Sequence, residues 1–237
     1  MAAMRDNTTR YTGRIDSYLA GALVAFGAAL IRSAAGVAKG ANTADEDAII
    51  GFAVQPDDSV ALDYDGFYSN SGKLTSQPDP MRVARDGEIV ALVIATSDVN
   101  IVDGDYLEVA SVGGSNPGYH GILQEAGSSA GGTKTTHACA KARQDITMGD
   151  ESYAVPASNV AIGDSTITMS AGAITTMGLS EADYIMLRDI NGNCQVNKVK
   201  SLSSTVITLQ FPSTVALTVS DSDLVNKLFQ CRAEKIP

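Results

Sequence analysis

A chain of 237 residues with a net charge of −10 can hold one large β domain or two small ones. Its negative charge argues against nucleic acid as the main partner, because phosphates would be repelled. Hydrophobic residues make up 44% of the chain and aromatic residues only 5%, with no Trp, so Ala, Val, Ile and Gly must fill an interior that suits thin sheets better than bulky helix packing.

Residues 1–18 are polar and set Arg5, Arg10 and Arg14 against Asp6 and Asp16. In an acidic protein this leader reads as an arm that docks on a neighbour; the plainer alternative is a frayed terminus. Residues 19–31 are apolar but too short to span a bilayer, which takes roughly 20 apolar residues. Gly21 and Gly27 interrupt the run. That favours strand–turn–strand over the two alternatives, a helix or the apolar core of a signal peptide.

Ala48 to Val54 read as a buried strand. The acidic stretch that follows, with Asp57, Asp58, Asp63 and Asp65, lacks a calcium loop. The twelfth position counted from Asp63 is Leu74, where an EF-hand needs a bidentate acid. Solvated turns are expected there.

The stretch from Asp86 to Leu107 sets the pattern for the whole chain. An Asp86-Gly87 turn leads into an apolar run from Ile89 to Ala95. A second run, Asn100 to Val102, meets an Asp103-Gly104 turn and leaves as Tyr106 to Val109. Short β-branched runs punctuated by Gly and Asp are strands joined by turns.

Gly127 to Thr135 imitate a phosphate-binding loop, but Thr133 separates Gly132 from Lys134. The motif needs Lys directly after its last Gly, so a flexible Gly-Ser loop is the reading. His120 and His137 have no acid or nucleophile at a telling spacing, and a catalytic pair is not expected. From His137 to Arg143, polar and small residues alternate as in a strand with one wet face. Cys139, Cys194 and Cys231 show no metal spacing. They read as three separate core or strand thiols, with one disulfide and an odd thiol as the alternative.

From Asn159 onward the texture is antiparallel. Thr166-Ile167-Thr168-Met169 alternates as a one-sided sheet does. Ile190-Asn191-Gly192-Asn193 reads as a hairpin turn, with positive φ at both central residues. Ser170 to Glu181 should hold a loop or one helical turn. Gly104-Asp105, Gly149-Asp150 and Gly163-Asp164 recur beside apolar runs, without a strict period. The expected fold is all-β. An arm (1–18) precedes a β-barrel or β-tulip-like domain (19–147), and a small antiparallel barrel or sandwich module (148–237) follows.

Four segments carry a family likeness: Gly21-Ala22-Leu23-Val24-Ala25-Phe26-Gly27, Ile49 to Val54, Asp86 to Val93, and Val102 to Leu107. In this order, across residues 20–110, the chain resembles the capsid decoration, or structural cement, proteins of tailed viruses. The last third, with Gly163 to Thr168 and Ser204 to Leu209, looks like small β modules appended to virion surface and tail proteins. The chain is longer than the smallest family members by that extra domain, which leaves its docking mode open.

The resemblance implies homotrimers on the outside of an icosahedral head and the major capsid protein as partner. It also implies no catalysis. No cofactor, metal or membrane is expected either, nor, given the negative charge, nucleic acid. The candidate contacts with shell or subunit lie in the arm and in the apolar stretch behind it, expected to be exposed: Arg5, Arg10, Tyr11, Arg14, Tyr18, Leu23 and Phe26. A secreted or cell-surface β adhesin or surface-layer protein is the alternative. An enzyme built on His120 or His137 would need a nucleophile and oxyanion donors that no motif supplies.

Overall fold

The short β-branched runs do form strands. A computed structural model describes residues 14–34, 36–41, 48–54, 66–68, 78–94, 100–110, 121–126, 137–147 and 152–236. Five strands close into a first barrel in the order β1 (Ile15–Ala20), β4 (Val37–Gly40), β3 (Ala29–Ala34), β5 (Ile49–Val54) and β7 (Pro80–Ala84). All its pairings are antiparallel except β1 with β4. Its interior holds Ala20, Val24, Ala28, Leu30, Ala38, Ala53, Tyr68, Met81 and Val83. Small side chains prevail because a ring this narrow has little room inside. Tyr68 comes from a two-strand ribbon, β2 (Val24–Ala25) with β6 (Phe67–Tyr68). Its buried hydroxyl donates to the Val54 carbonyl at 2.7 Å.

A second ring follows. β8 (Glu88–Ile94) pairs with β10 (Leu123–Glu125), β10 with β9 (Tyr106–Val109), and β9 with β11 (Ala140–Ala142). β11 pairs with β17 (Leu224–Lys235), and β17 returns to β8. One apolar cluster joins the rings: Ala29, Ile31, Phe52, Val54 and Ala84 of the first meet Ile89, Ala91, Val93, Leu107 and Cys231 of the second.

β17 also extends the sheet into the last third. There β14 (Tyr184–Arg188), β15 (Cys194–Leu202), β16 (Val206–Leu209) and β13 (Thr166–Thr168) follow in order, and β12 (Tyr153–Ala154) flanks β17. Their core gathers Val160, Ile167, Met169, Ile185, Leu187, Val199 and Ile207. Two buried amides on β15 hold a strap across it. Asn197 Nδ2 donates to the Phe211 carbonyl at 2.8 Å, and its Oδ1 accepts the Phe211 amide at 3.2 Å. Gln195 does the same for Pro212 and Thr214, at 3.1 and 2.9 Å. Each side chain mimics a strand neighbour, so the strap's backbone is satisfied without a ladder.

Several expectations meet their outcome here. The molecule is all-β with a closed barrel. The only α-helix among the described residues, α1 (Ala173–Thr176), sits inside the segment expected to hold one turn. Residues 15–18, read as part of the arm, are the start of β1, paired with β7. Residues 19–31 are strand–turn–strand, but they are not an exposed stretch. Ala20, Val24, Ala25 and Ala28 to Ile31 are buried, while Leu19, at 42%, and Gly21 are exposed. The division at residue 148 is crossed by one sheet, because β17 pairs with β14 through Leu224–Lys227 and with β8 beyond. Asn191 does not take positive φ; only Gly192 does, at 85°. The loop is therefore five residues long, Asp189 to Asn193, closed by the Asp189 carboxylate on the Asn193 amide at 2.8 Å. All three cysteines are free thiols. Burial pushes the Cys231 thiol up to about 11, so it stays protonated.

The Gly-Asp turns share one geometry. Asp105, Asp164 and Asp183 each accept the amide three residues back, from Val102, Ala161 and Ser180, at 2.7 to 2.9 Å. The residue before each Asp has positive φ: Gly104, Gly163 and Ala182. The third turn was not legible as a Gly-Asp pair because Ala stands in the glycine position. Gly149-Asp150 lies outside the described residues.

The joint between the β2–β6 ribbon and the last sheet centres on Tyr184. Its buried hydroxyl donates to the Gly66 carbonyl at 2.8 Å, and burial raises its pKa well above the ordinary phenol value. Phe67 packs edge-on against both Tyr184 and Phe211, at 5.6 and 5.2 Å. Gly66 has φ +91°, and a Cβ there would lie 2.3 Å from the Tyr184 hydroxyl oxygen. Gly66→Ala should therefore cost about 2 kcal/mol or more in urea unfolding. Tyr184→Phe alone should cost about 1 kcal/mol and, by removing the clashing oxygen, relieve part of the Gly66→Ala defect in the double variant. Ala182→Gly should stabilise by roughly 0.5 kcal/mol, the left-handed strain relieved less the entropy glycine adds.

Candidate interaction surface

Alternation along a strand decides which flank of the first barrel is open. On β1, Tyr18 packs against the barrel core and Ala20 lies within it, so Ile15, Ser17 and Leu19 point outward. On β4 the inward residue is Ala38, leaving Val37 and Lys39 outside. On β7 it is Met81 and Val83, leaving Pro80 and Arg82 outside. Register sets Leu19 between Val37 on one side and Pro80 on the other, and Ser17 opposite Arg82. The opposite flank, β3 and β5, turns Ala29, Ile31, Phe52 and Val54 into the cluster shared with the second ring. One flank is thus covered by the protein itself. The other presents an apolar trio, Leu19, Val37 and Pro80, bordered by the half-buried cations Lys39 and Arg82.

At the start of β1 lies a charged root. The Arg14 amide donates to Asp86 Oδ1 at 2.5 Å and the Arg85 amide donates to the Arg14 carbonyl at 2.9 Å. The Asp16 carboxylate accepts from Arg14 Nε and from Arg85 Nη1, both at 3.0 Å. Desolvation acts to raise the Asp16 pKa, but the hydrogen bonds from Arg85 and Arg14 outweigh it and hold the carboxyl below its ordinary value. The root fixes where the leading segment joins the barrel.

Of the expected contact residues, Arg14 is exposed at this root. Tyr18 packs half-buried on the barrel core, and Phe26 does too, edge-on to Tyr68 at 5.1 Å. Leu23 packs on the joint cluster. The structure brings Arg14 together with Asp16 and Arg85, and does not bring it to Leu23 or Phe26. Arg5, Arg10 and Tyr11 lie outside the described residues, as do His120 and the Gly127–Thr135 loop. Val37, Pro80, Arg82 and Arg85 were not legible as partners of Leu19 and Arg14, because only register across the barrel makes them neighbours.

A second exposed apolar group sits on the last sheet. The buried Asp223 carboxylate accepts the Ile190 and Thr218 amides, each at 2.7 Å. It thereby pins together the loops that carry Ile190, 69% exposed, and Val219, 37% exposed. Among the described residues no group of three or more His, Cys, Asp or Glu gathers as a metal site.

The depressed Asp16 carboxyl sets a sign for acid. Stability from the root is fully present above the unfolded carboxyl value, near 3.8, and is lost as pH falls through the lower folded value. In an NMR titration the Asp16 midpoint should sit below that of a free Asp and rise in Arg85→Gln. An unmoved midpoint would remove Arg85 from the root.

No family model matches this chain, and no curated protein or solved structure matches it either.

Proposed function

We propose that this chain is a structural virion protein. It binds the outside of the icosahedral capsid of a tailed virus, as a homotrimer whose partner is the major capsid protein, and it acts by adhesion without catalysis. The observation that carries the reading is the open flank of the first barrel. One family-like segment, Ile49 to Val54, is β5 of the first barrel, and that closed ring leaves Leu19, Val37 and Pro80 outside between Lys39 and Arg82. A flank of this kind suits a modest contact repeated many times over a shell, where multivalency supplies the strength. The second reading, a surface adhesin, draws on Ile190 and Val219, which the last sheet presents on pinned loops.

The test is co-sedimentation with empty heads assembled from the major capsid protein encoded alongside it. The intact chain should sediment with the heads. Leu19→Asp should weaken binding roughly tenfold or more, the loss of one central contact, while Ile190→Asp leaves it unchanged. Removing residues 1–13 spares β1 and reports on the arm alone. An intact chain that stays in the supernatant at every concentration would overturn the capsid reading.

A further inference from the structure

The chain contains one Asn-Gly pair, Asn191-Gly192, and the fold places it in the loop between β14 and β15, with Asn191 exposed and Gly192 buried. We propose that Asn191 is a site of spontaneous deamidation in the folded protein. The Gly192 nitrogen attacks the Asn191 side-chain carbonyl carbon. A Gly192 N–Asn191 Cγ bond forms, the Cγ–Nδ2 bond breaks, and the amide leaves as ammonia carrying the Gly192 proton. Water then opens the succinimide ring. Opening at Cγ leaves aspartate; opening at the main-chain carbonyl leaves isoaspartate.

Three features single out this asparagine. Its neighbour has no side chain to hinder ring closure; every other described asparagine precedes a residue with one. Asn191 is exposed, whereas Asn197 is fully buried with both amide atoms bonded to Phe211. The nucleophile is weakly held: the Gly192 amide donates to the Asp189 carbonyl at 3.2 Å, a long bond. The rest of the loop is clamped more tightly, with Asp189 on the Asn193 amide and side chain at 2.8 and 2.6 Å. Closure of the ring therefore waits on local opening of a five-residue loop and not on unfolding of the sheet.

The product matters to what the loop carries. Isoaspartate inserts a methylene into the main chain between Asp189 and Asn193, so the clamp no longer fits. The Ile190 amide, bound to Asp223, sits one residue from the altered backbone. A new carboxylate also joins Asp189 and Asp223.

The experiment incubates the folded protein in mildly alkaline buffer and follows the tryptic peptide 189–198 by mass spectrometry, beside the same sequence as a free peptide. The expected result is the amide-to-acid mass gain at Asn191 alone, as an aspartate and isoaspartate mixture, with one added negative charge on isoelectric focusing. Asn191→Ser should abolish it. Asp189→Ala, which loosens the loop, should speed it, and Gly66→Ala, which weakens the remote joint, should not. The proposal is overturned if Asn191 stays intact after the free peptide has converted, or if the gain falls on Asn193 or Asn197. It is equally overturned if only Gly66→Ala changes the rate, since conversion would then proceed from the unfolded chain.

Discussion

Strand β17 is the constraint on which the other elements depend. Its 12 residues pair with β8, β11, β12 and β14. It closes the second ring and begins the last sheet in one continuous stretch of backbone. The first barrel closes within residues 15–84, but the second ring does not close until the end of the chain has returned to β8, well over a hundred residues earlier. Such a fold is dominated by non-local pairing and is expected to form slowly, since loop entropy is lost before the contacts are gained. Once formed, the second ring and the last sheet cannot separate without breaking the β17 ladder, while the first ring is held to the second through the apolar cluster between them.

The composition follows from that architecture. Five-stranded rings enclose little space, and Ala dominates both the first interior and the cluster between the rings. Bulk enters where elements meet: Phe67, Phe211 and Tyr184 fill the joint. Polar side chains in the interior act as backbone substitutes. Asn197, Gln195 and Asp223 each bind main-chain groups of loops that have no strand beside them. A buried amide with both atoms bonded avoids the penalty of an orphan. Asn226 Oδ1 is the one such atom among the described residues with no partner.

Closure also shapes how the protein can meet others. A ring has no edge, so addition of a foreign strand is blocked. The far edge of the last sheet, β13, is short, and the Ala157 amide already caps it at the Thr168 carbonyl. Side-chain surfaces are therefore left as the main means of contact. The flank of β1, β4 and β7 and the pinned Ile190 and Val219 loops are two surfaces that carry apolar groups outward.

Local sequence determined the strands and most turns, because both rest on neighbours in the chain. Short apolar runs marked β5 and β8, two-residue alternation marked β13, and an Asp beside a glycine marked the turns before β9 and β13. The all-β class and its barrel character were legible for the same reason. Tertiary structure alone decided the pairing of β17 with β8, the burial of residues 19–31 and the identity of the open flank. Leu19 is exposed and Leu30 buried, although both lie in one apolar run. The difference comes from the strands that enclose Leu30 within the first barrel and leave Leu19 outside it. Those are contacts between residues distant in the chain, and no local period records them.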